Sequence, residues 1–143
     1  MWRKLKNFFL SLRTYSDMSP DVGLRRRINQ TLRSRSSRSF EEWYHSFWKR
    51  LDVSKDVAAF VYDQMEEYSG LQFSRVLPSD RLSTDLHLSM VCWFDWECTL
   101  CDDFCDRFSV DIHGCFDPYA LSTIKDLVVF LNQQVIPVNY SQP

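Results

Sequence analysis

The apolar positions of this chain recur at helical spacing over most of its length. Trp2, Leu5, Phe8, Phe9 and Leu12 form a first stripe, with Arg3, Lys4, Lys6 and Arg13 between them. This is a short basic amphipathic stretch. Residues 16–24 mix Ser, Asp, Pro and Gly and read as a break. Ser39-Phe40-Glu41-Glu42 has the form of a helix start, a serine cap with a carboxylate placed to reach back. Phe40, Trp43, Tyr44, Phe47, Trp48 and Leu51 then repeat every three to four residues. After a bend at Asp52–Ser54, Val57, Phe60, Val61, Met65 and Tyr68 continue to Ser69-Gly70, where glycine suits a helix stop. Two helices are expected, over 40–51 and 55–68.

Residues 71–88 change character. Leu71, Phe73, Val76, Leu77, Leu82, Leu86 and Leu88 are scattered among Pro78, Asp80, Ser83 and Asp85, which predicts a long loop with buried leucines. Helical spacing returns over 90–108, where Phe94, Cys98, Cys101, Cys105 and Phe108 share a stripe and Leu100 and Phe104 widen it. Ser109–Gly114 should end that helix, and Phe116–Tyr119 should make a short turn. Ser122 at an N-cap position opens a last helix through Ile124, Leu127, Val128, Phe130 and Leu131, which Pro137 is expected to stop. No internal repeat and no sheet pattern is visible.

The charge layout adds a division that hydropathy does not show. The chain has 143 residues and net charge −2. Residues 1–50 hold 12 Lys/Arg against 4 Asp/Glu, and residues 51–143 hold 5 against 15. A basic arm therefore precedes an acidic body. Either the two parts meet different partners, or the arm folds back and neutralises the body. The arm includes Arg25-Arg26-Arg27 and the run Arg33-Ser34-Arg35-Ser36-Ser37-Arg38-Ser39, which reads as a solvated linker with a helical start. Clustered guanidinium groups bind the phosphates of nucleic acid or anionic lipid. No nucleic-acid-binding fold signature accompanies them. The first stripe likewise reads as an anchor at a membrane surface, a partner-docking helix, or a helix packed on its own domain.

At 45% hydrophobic and 15% aromatic, with three glycines, the composition excludes a wholly disordered or collagen-like chain. The length suits one domain plus an arm. No apolar run approaches the roughly 20 residues that span a bilayer. Residues 1–15 lack the continuous apolar core of a secretory signal, so a cytoplasmic setting with free thiols is expected.

Candidate chemistry is sparse. Cys98-x-x-Cys101-x-x-x-Cys105, with His113 and Cys115 close behind, has metal-ligand elements. The same cysteines share a stripe with Phe94 and Phe108, and a buried cysteine behaves as a small hydrophobe. The core reading is therefore preferred, and no metal ligand is assigned. A cysteine–histidine nucleophilic pair, drawn from His45, His87 or His113, is disfavoured because nearby carboxylates oppose the thiolate. No phosphate-cradling glycine loop occurs. No catalytic residue is assigned, and the expectation is a non-enzymatic protein.

Three segments in order resemble acyl carrier proteins. Arg81-Leu82-Ser83-Thr84-Asp85-Leu86-His87-Leu88-Ser89 resembles the loop before the carrier's second helix, whose usual form ends Asp-Leu-Gly-hydrophobic-Asp-Ser-Leu. Phe104-Cys105-Asp106-Arg107-Phe108-Ser109-Val110-Asp111-Ile112 is similar to the close of that helix. Thr123-Ile124-Lys125-Asp126-Leu127 looks like the start of the last helix, usually Thr-Val-x-Asp-Leu. The match covers residues 55–135. It is nearer still to bacterial acyl-carrier-like proteins of unknown function that keep the loop and lose the serine motif. Here Met90 stands where the modified serine should be, Ser89 lies one position early, His87 replaces the glycine, and the second helix is about one turn longer.

The resemblance implies an all-α fold, an acyl-carrier-like four-helix bundle with an extra N-terminal helical, basic arm. Its bounds are expected at 1–39 for the arm, 40–137 for the domain and 138–143 for a tail. It also implies a carrier-like protein that binds a partner with a basic patch through an acidic second helix. The residues expected to carry that contact are Trp93, Asp95, Trp96, Glu97, Asp102, Asp103 and Asp106, without phosphopantetheine. One alternative is a genuine acyl or peptidyl carrier with 4′-phosphopantetheine on Ser89. The other is a binder of nucleic acid or anionic membrane through residues 1–39.

Overall fold

The structure is a computed structural model and describes residues 19–140, with side chains described to residue 135. The first amphipathic stripe therefore lies outside the described residues. The rest is helical. Among the described residues there are six α-helices: α1 Val22–Leu32, α2 Phe40–Phe47, α3 Lys55–Ser69, α4 Leu88–Val91, α5 Trp96–Phe108 and α6 Ile124–Tyr140. Short 3-10 turns occur at Lys49–Leu51, Phe73–Arg75 and Pro118–Ala120. The described residues contain no strand, only an isolated bridge between Arg81 and Thr123.

Local chemistry accounts for the helix ends. The Asp21 carboxylate accepts the Leu24 N–H at 3.0 Å and opens α1. The Ser39 hydroxyl accepts the Glu42 N–H at 3.3 Å and opens α2, as the sequence leads one to expect. Glu41 and Glu42 place negative charge in the first turn of that helix, where the macrodipole favours it. Gly70, at φ 70°, closes α3, and Ser109, at φ 58°, closes α5. The cap of α6 is Thr123, one residue beyond the expected Ser122. Its hydroxyl accepts the Asp126 N–H, and the Asp126 carboxylate accepts the N–H groups of Ser122 and Thr123. Pro137 does not stop α6, which runs to Tyr140. A proline at this place removes one backbone donor from the helix.

The core is aromatic. Trp43, Trp48, Phe60, Phe73 and Phe104 are fully buried, with Met65, Leu71, Leu86, Leu88, Leu100, Ile112 and Ile124 around them. Trp43 and Trp48 meet at 5.3 Å, and the Trp43 indole N–H donates to the Val76 carbonyl at 3.0 Å. Phe60 on α3 stands edge-on to Phe104 and Phe108 on α5, at 5.5 and 5.8 Å. Truncating one such ring to alanine costs roughly 3–5 kcal/mol. Leu51, at the end of the expected stripe, is instead exposed. Asn132 is a buried polar tie in the core. Its carbonyl accepts the Ser54 N–H at 2.9 Å and joins α6 to the bend before α3.

Residues before 39, expected as an arm, pack on this body. Ile28 and Leu32 of α1 are buried with the core. The Asn29 amide donates to the Gly70 carbonyl at 2.9 Å and accepts the Gln72 N–H at 3.0 Å. Thus α1 straps the start of the long loop. That loop in turn positions α6, whose Ile124 and Lys125 N–H groups donate to the carbonyls of Asp80 and Pro78. Its Leu71, Phe73, Val76, Leu82 and Leu86 are buried, as the scattered apolar pattern implies.

The helix expected over 90–108 is two helices. Cys92 is extended (φ −89°, ψ 164°), and α5 begins only at Trp96. The start of the expected helix belongs to a separate short helix, α4, joined to α5 by an elbow at Cys92–Asp95. That break re-phases the side chains: Phe94, expected on the buried stripe, is 55% exposed.

Candidate protein-docking site

The elbow and α5 bring together most of the residues that the sequence singles out. The loop before them is held by its own backbone. The Asp85 carboxylate accepts the Arg81 N–H at 2.8 Å, and the Leu86 and Leu88 N–H groups donate to the carbonyls of Arg81 and Leu82. Leu86 and Leu88 point into the core, and His87 between them takes the left-handed conformation at φ 48°. That conformation is easy for glycine and costs a histidine about 1 kcal/mol.

Ser89 is exposed on α4. It lines a cavity of about 150 Å³ with Leu82, Leu88, Trp96, Tyr119 and Leu121 among its walls. Met90, Trp93 and Phe94 follow on the surface, at 50%, 43% and 55% exposure. Trp96 is not part of that surface. It is 6% exposed and packs edge-on against Phe116 at 6.4 Å, because it opens α5 on the helix's inner face. Trp96, expected among the partner contacts or equally in the core, lies in the core.

The carboxylates divide into engaged and open groups. Asp95 and Asp106 are exposed. Glu97 is half-buried beside the Ser89 cavity, and burial, then the charge of Asp117, raises its pKa. Asp103 accepts the Tyr68 hydroxyl in a short hydrogen bond between α5 and α3. Burial and that bond push the Tyr68 pKa up. Asp102 meets the His113 imidazole Nε2 at 2.8 Å, while His113 Nδ1 meets Asp111 at 2.7 Å. The two carboxylates, Asp111 first, raise the His113 pKa, and the His113 backbone N–H and ring lower that of Asp111. Sequence reasoning does not assign His113 this bridge. Asp111 lies two residues before it, but Asp102 lies eleven before it, a separation that carries no local signal.

The cysteines do not form one stripe. Cys92 and Cys101 are buried, Cys105 is half-buried, and Cys98 and Cys115 are exposed. Burial pushes the Cys92 thiol up to about 12 and the Cys101 thiol up to about 11. Among the described residues no three His, Cys, Asp or Glu side chains stand together in a group that could hold a metal ion.

Several arginines of the basic segment are structural. Arg25 donates to the Val91 carbonyl at 2.7 Å, Arg35 pairs with Asp80, and Arg38 lies over the Phe47 ring at 4.9 Å. Arg26, Arg27 and Arg33 remain exposed. For Arg35 the folding-back of the arm is thus realised. No helix of the described residues is long and apolar enough to cross a membrane.

No protein-family model matches the chain, and no curated protein or solved structure matches it.

Proposed function

We propose that this chain is a non-enzymatic acyl-carrier-like protein of the cytoplasm. It binds a partner protein with a basic patch through the elbow and α5, without phosphopantetheine. The observation that carries this reading is the pairing of exposed apolar groups, Met90 and Phe94, with the open carboxylates of Asp95 and Asp106. Aromatic anchors supply affinity and carboxylates steer encounter. Two further observations support the carrier-like part. His87 is left-handed where the carrier loop has glycine, and a helix follows that loop with an acidic outer side. The absence of a serine at Met90 favours the unmodified form.

The test is chemical crosslinking in a cell extract, comparing the wild type with the full-length triple variant Asp95→Lys, Asp102→Lys, Asp106→Lys and with Phe94→Ser. A crosslinked partner that is lost in both variants supports the reading. A set of crosslinks unchanged by either variant overturns it.

A second reading rests on Ser89, which is exposed at the rim of the cavity between α4, α5 and the Pro118–Ala120 turn. In this reading Ser89 carries 4′-phosphopantetheine. Intact mass after co-expression with a broad-specificity phosphopantetheinyl transferase separates the two. A phosphopantetheine adduct that vanishes in Ser89→Ala makes the chain a carrier. An unmodified mass, under conditions that modify a standard carrier, leaves the docking role.

A further inference from the structure

The described chain begins at Ser19, and it begins beside the exposed elbow. The Asp21 N–H donates to the Met90 carbonyl at 2.9 Å, and Arg25 donates to the Val91 carbonyl. The chain therefore enters the body at the Met90 carbonyl, four residues before the exposed Phe94. The preceding residues carry the apolar stripe Trp2, Leu5, Phe8, Phe9 and Leu12, and Arg3, Lys4, Lys6 and Arg13 with no acidic residue before Asp17. Ser19 lies seven positions after Leu12, a reach of at most about 25 Å. A tether this short holds the stripe at roughly millimolar effective concentration beside the elbow. Even a weak apolar contact is then populated.

The charges agree with the geometry. Asp95 is exposed at the elbow, and Glu97, half-exposed, follows one residue into α5. A stripe flanked only by cations complements the carboxylates that follow this apolar face, while Arg25, engaged with the Val91 carbonyl, is the like charge at the elbow.

We infer that residues 2–12 of this chain are the occupant of the face formed by Met90 and Phe94, held there within one molecule. The contact stands whether or not α5 docks a partner. Where α5 does dock one, the segment competes for the same apolar anchors and must be displaced.

Met90 is a built-in reporter. A thioether under cover is oxidised by hydrogen peroxide more slowly than an open one. The experiment compares the full-length wild type with the full-length variant Phe8→Asp, Phe9→Asp and follows sulfoxide at each methionine by peptide mass. Met65, fully buried in α3, reports unfolding. The expected result is several-fold faster oxidation of Met90 in the variant, with Met65 equally slow in both. Protection of Met90 in the wild type should persist on dilution. Equal Met90 rates in the two proteins overturn the inference. So does protection that fades on dilution, which assigns the stripe to a second copy. So does protection that arises only when anionic phosphatidylglycerol vesicles are added, which assigns the stripe to a membrane surface. Destabilisation by the substitutions is separated by Met65: if Met65 also accelerates, the same comparison is made with Phe94→Ser, which opens the face from the other side and should accelerate Met90 alone.

Discussion

Arg35 and Asp80 are joined by two parallel hydrogen bonds, Nη1 to Oδ2 at 2.7 Å and Nη2 to Oδ1 at 2.9 Å. Asp80 is buried, and the same carboxylate accepts the Leu77 N–H at 2.7 Å. Its backbone carbonyl accepts the Ile124 N–H and so supports the start of α6. One arginine from the basic segment thereby fixes the acidic loop on which the last helix sits. Arg35 also donates to the Arg75 carbonyl at 3.2 Å, and Arg75 donates back to the Arg35 carbonyl in a short bond.

Removing one partner of a buried, two-pronged pair leaves the other uncompensated. Arg35 is about a third exposed, which moderates the loss. Asp80→Ala should cost about 3 kcal/mol, since it also releases the Leu77 N–H. Arg35→Lys should cost about 1 kcal/mol, because lysine cannot reproduce the fork. Urea unfolding of these two variants, of Arg35→Ala and of the double variant Asp80→Ala, Arg35→Ala checks this. Strictly additive losses would show that the pair contributes no coupling.

Gly70 allows a second test of how α1 is seated. It holds φ 70°, and a Cβ there would meet the Arg25 Cδ and Nε at 2.6 Å. Gly70→Ala therefore suffers both a left-handed backbone and a clash with the side chain that reaches Val91. The backbone part is about 1 kcal/mol. The steric part depends on Arg25 and should disappear in Gly70→Ala, Arg25→Ala. The expected result is a melting temperature that falls further in Gly70→Ala than the backbone part explains. The additional drop should be absent when the two substitutions are compared with Arg25→Ala alone. An equal drop in both backgrounds would mean that Arg25 moves aside freely.

These two pairs show what sequence reading misses. Helix positions were legible wherever caps and periodicity agreed, as at Ser39 and at Gly70. The role of residues 22–38 was not. Val22, Leu24, Ile28 and Leu32 are the segment's only apolar side chains among arginines and serines, and the burial of Ile28 and Leu32 depends on a loop that begins more than 35 residues later. The elbow was hidden for another reason. Cys92–Asp95 contains no glycine or proline, so nothing local marks the break, and the stripe runs through it unbroken. The cost was to the candidate site. Phe94, expected in the core, lies on the surface, and Trp96, which its spacing leaves open between the two, lies in the core.

His113 makes stability depend on pH in a direction that can be worked out. Its pKa is raised in the folded protein from an ordinary value of 6.5, by Asp111 and then Asp102. A group with a raised folded pKa contributes its full stabilisation below the unfolded value. The contribution is lost as pH rises through the folded value. The wild type should therefore lose stability relative to His113→Gln as pH climbs from about 6.5 upward. Asp111, whose pKa is lowered, acts oppositely at the acid end, where its contribution disappears as pH falls below the ordinary carboxylate range. Thermal melts of the two proteins across pH check the sign. Curves that stay parallel through neutrality would show that the bridge between Asp102, His113 and Asp111 does not form in solution.

The five thiols should separate kinetically. The thiolate is the reacting form, so both exposure and pKa govern the rate. Cys98 and Cys115 are exposed, while Cys92 and Cys101 are buried with thiols pushed up to about 12 and about 11. A disulfide reagent added to the native protein at neutral pH should modify Cys98 and Cys115 in a fast phase. Cys105, half-buried on α5, should follow more slowly. Cys92 and Cys101 should react only as fast as the body opens, so their rate reports unfolding and should rise in Asp80→Ala. Mapping the modified peptides with time makes the assignment. Fast modification of Cys92 would be the most damaging outcome, because it lies against the strap formed by Arg25 and Val91. It would mean that the elbow and α1 separate readily, and that the face offered to a partner differs from the one described.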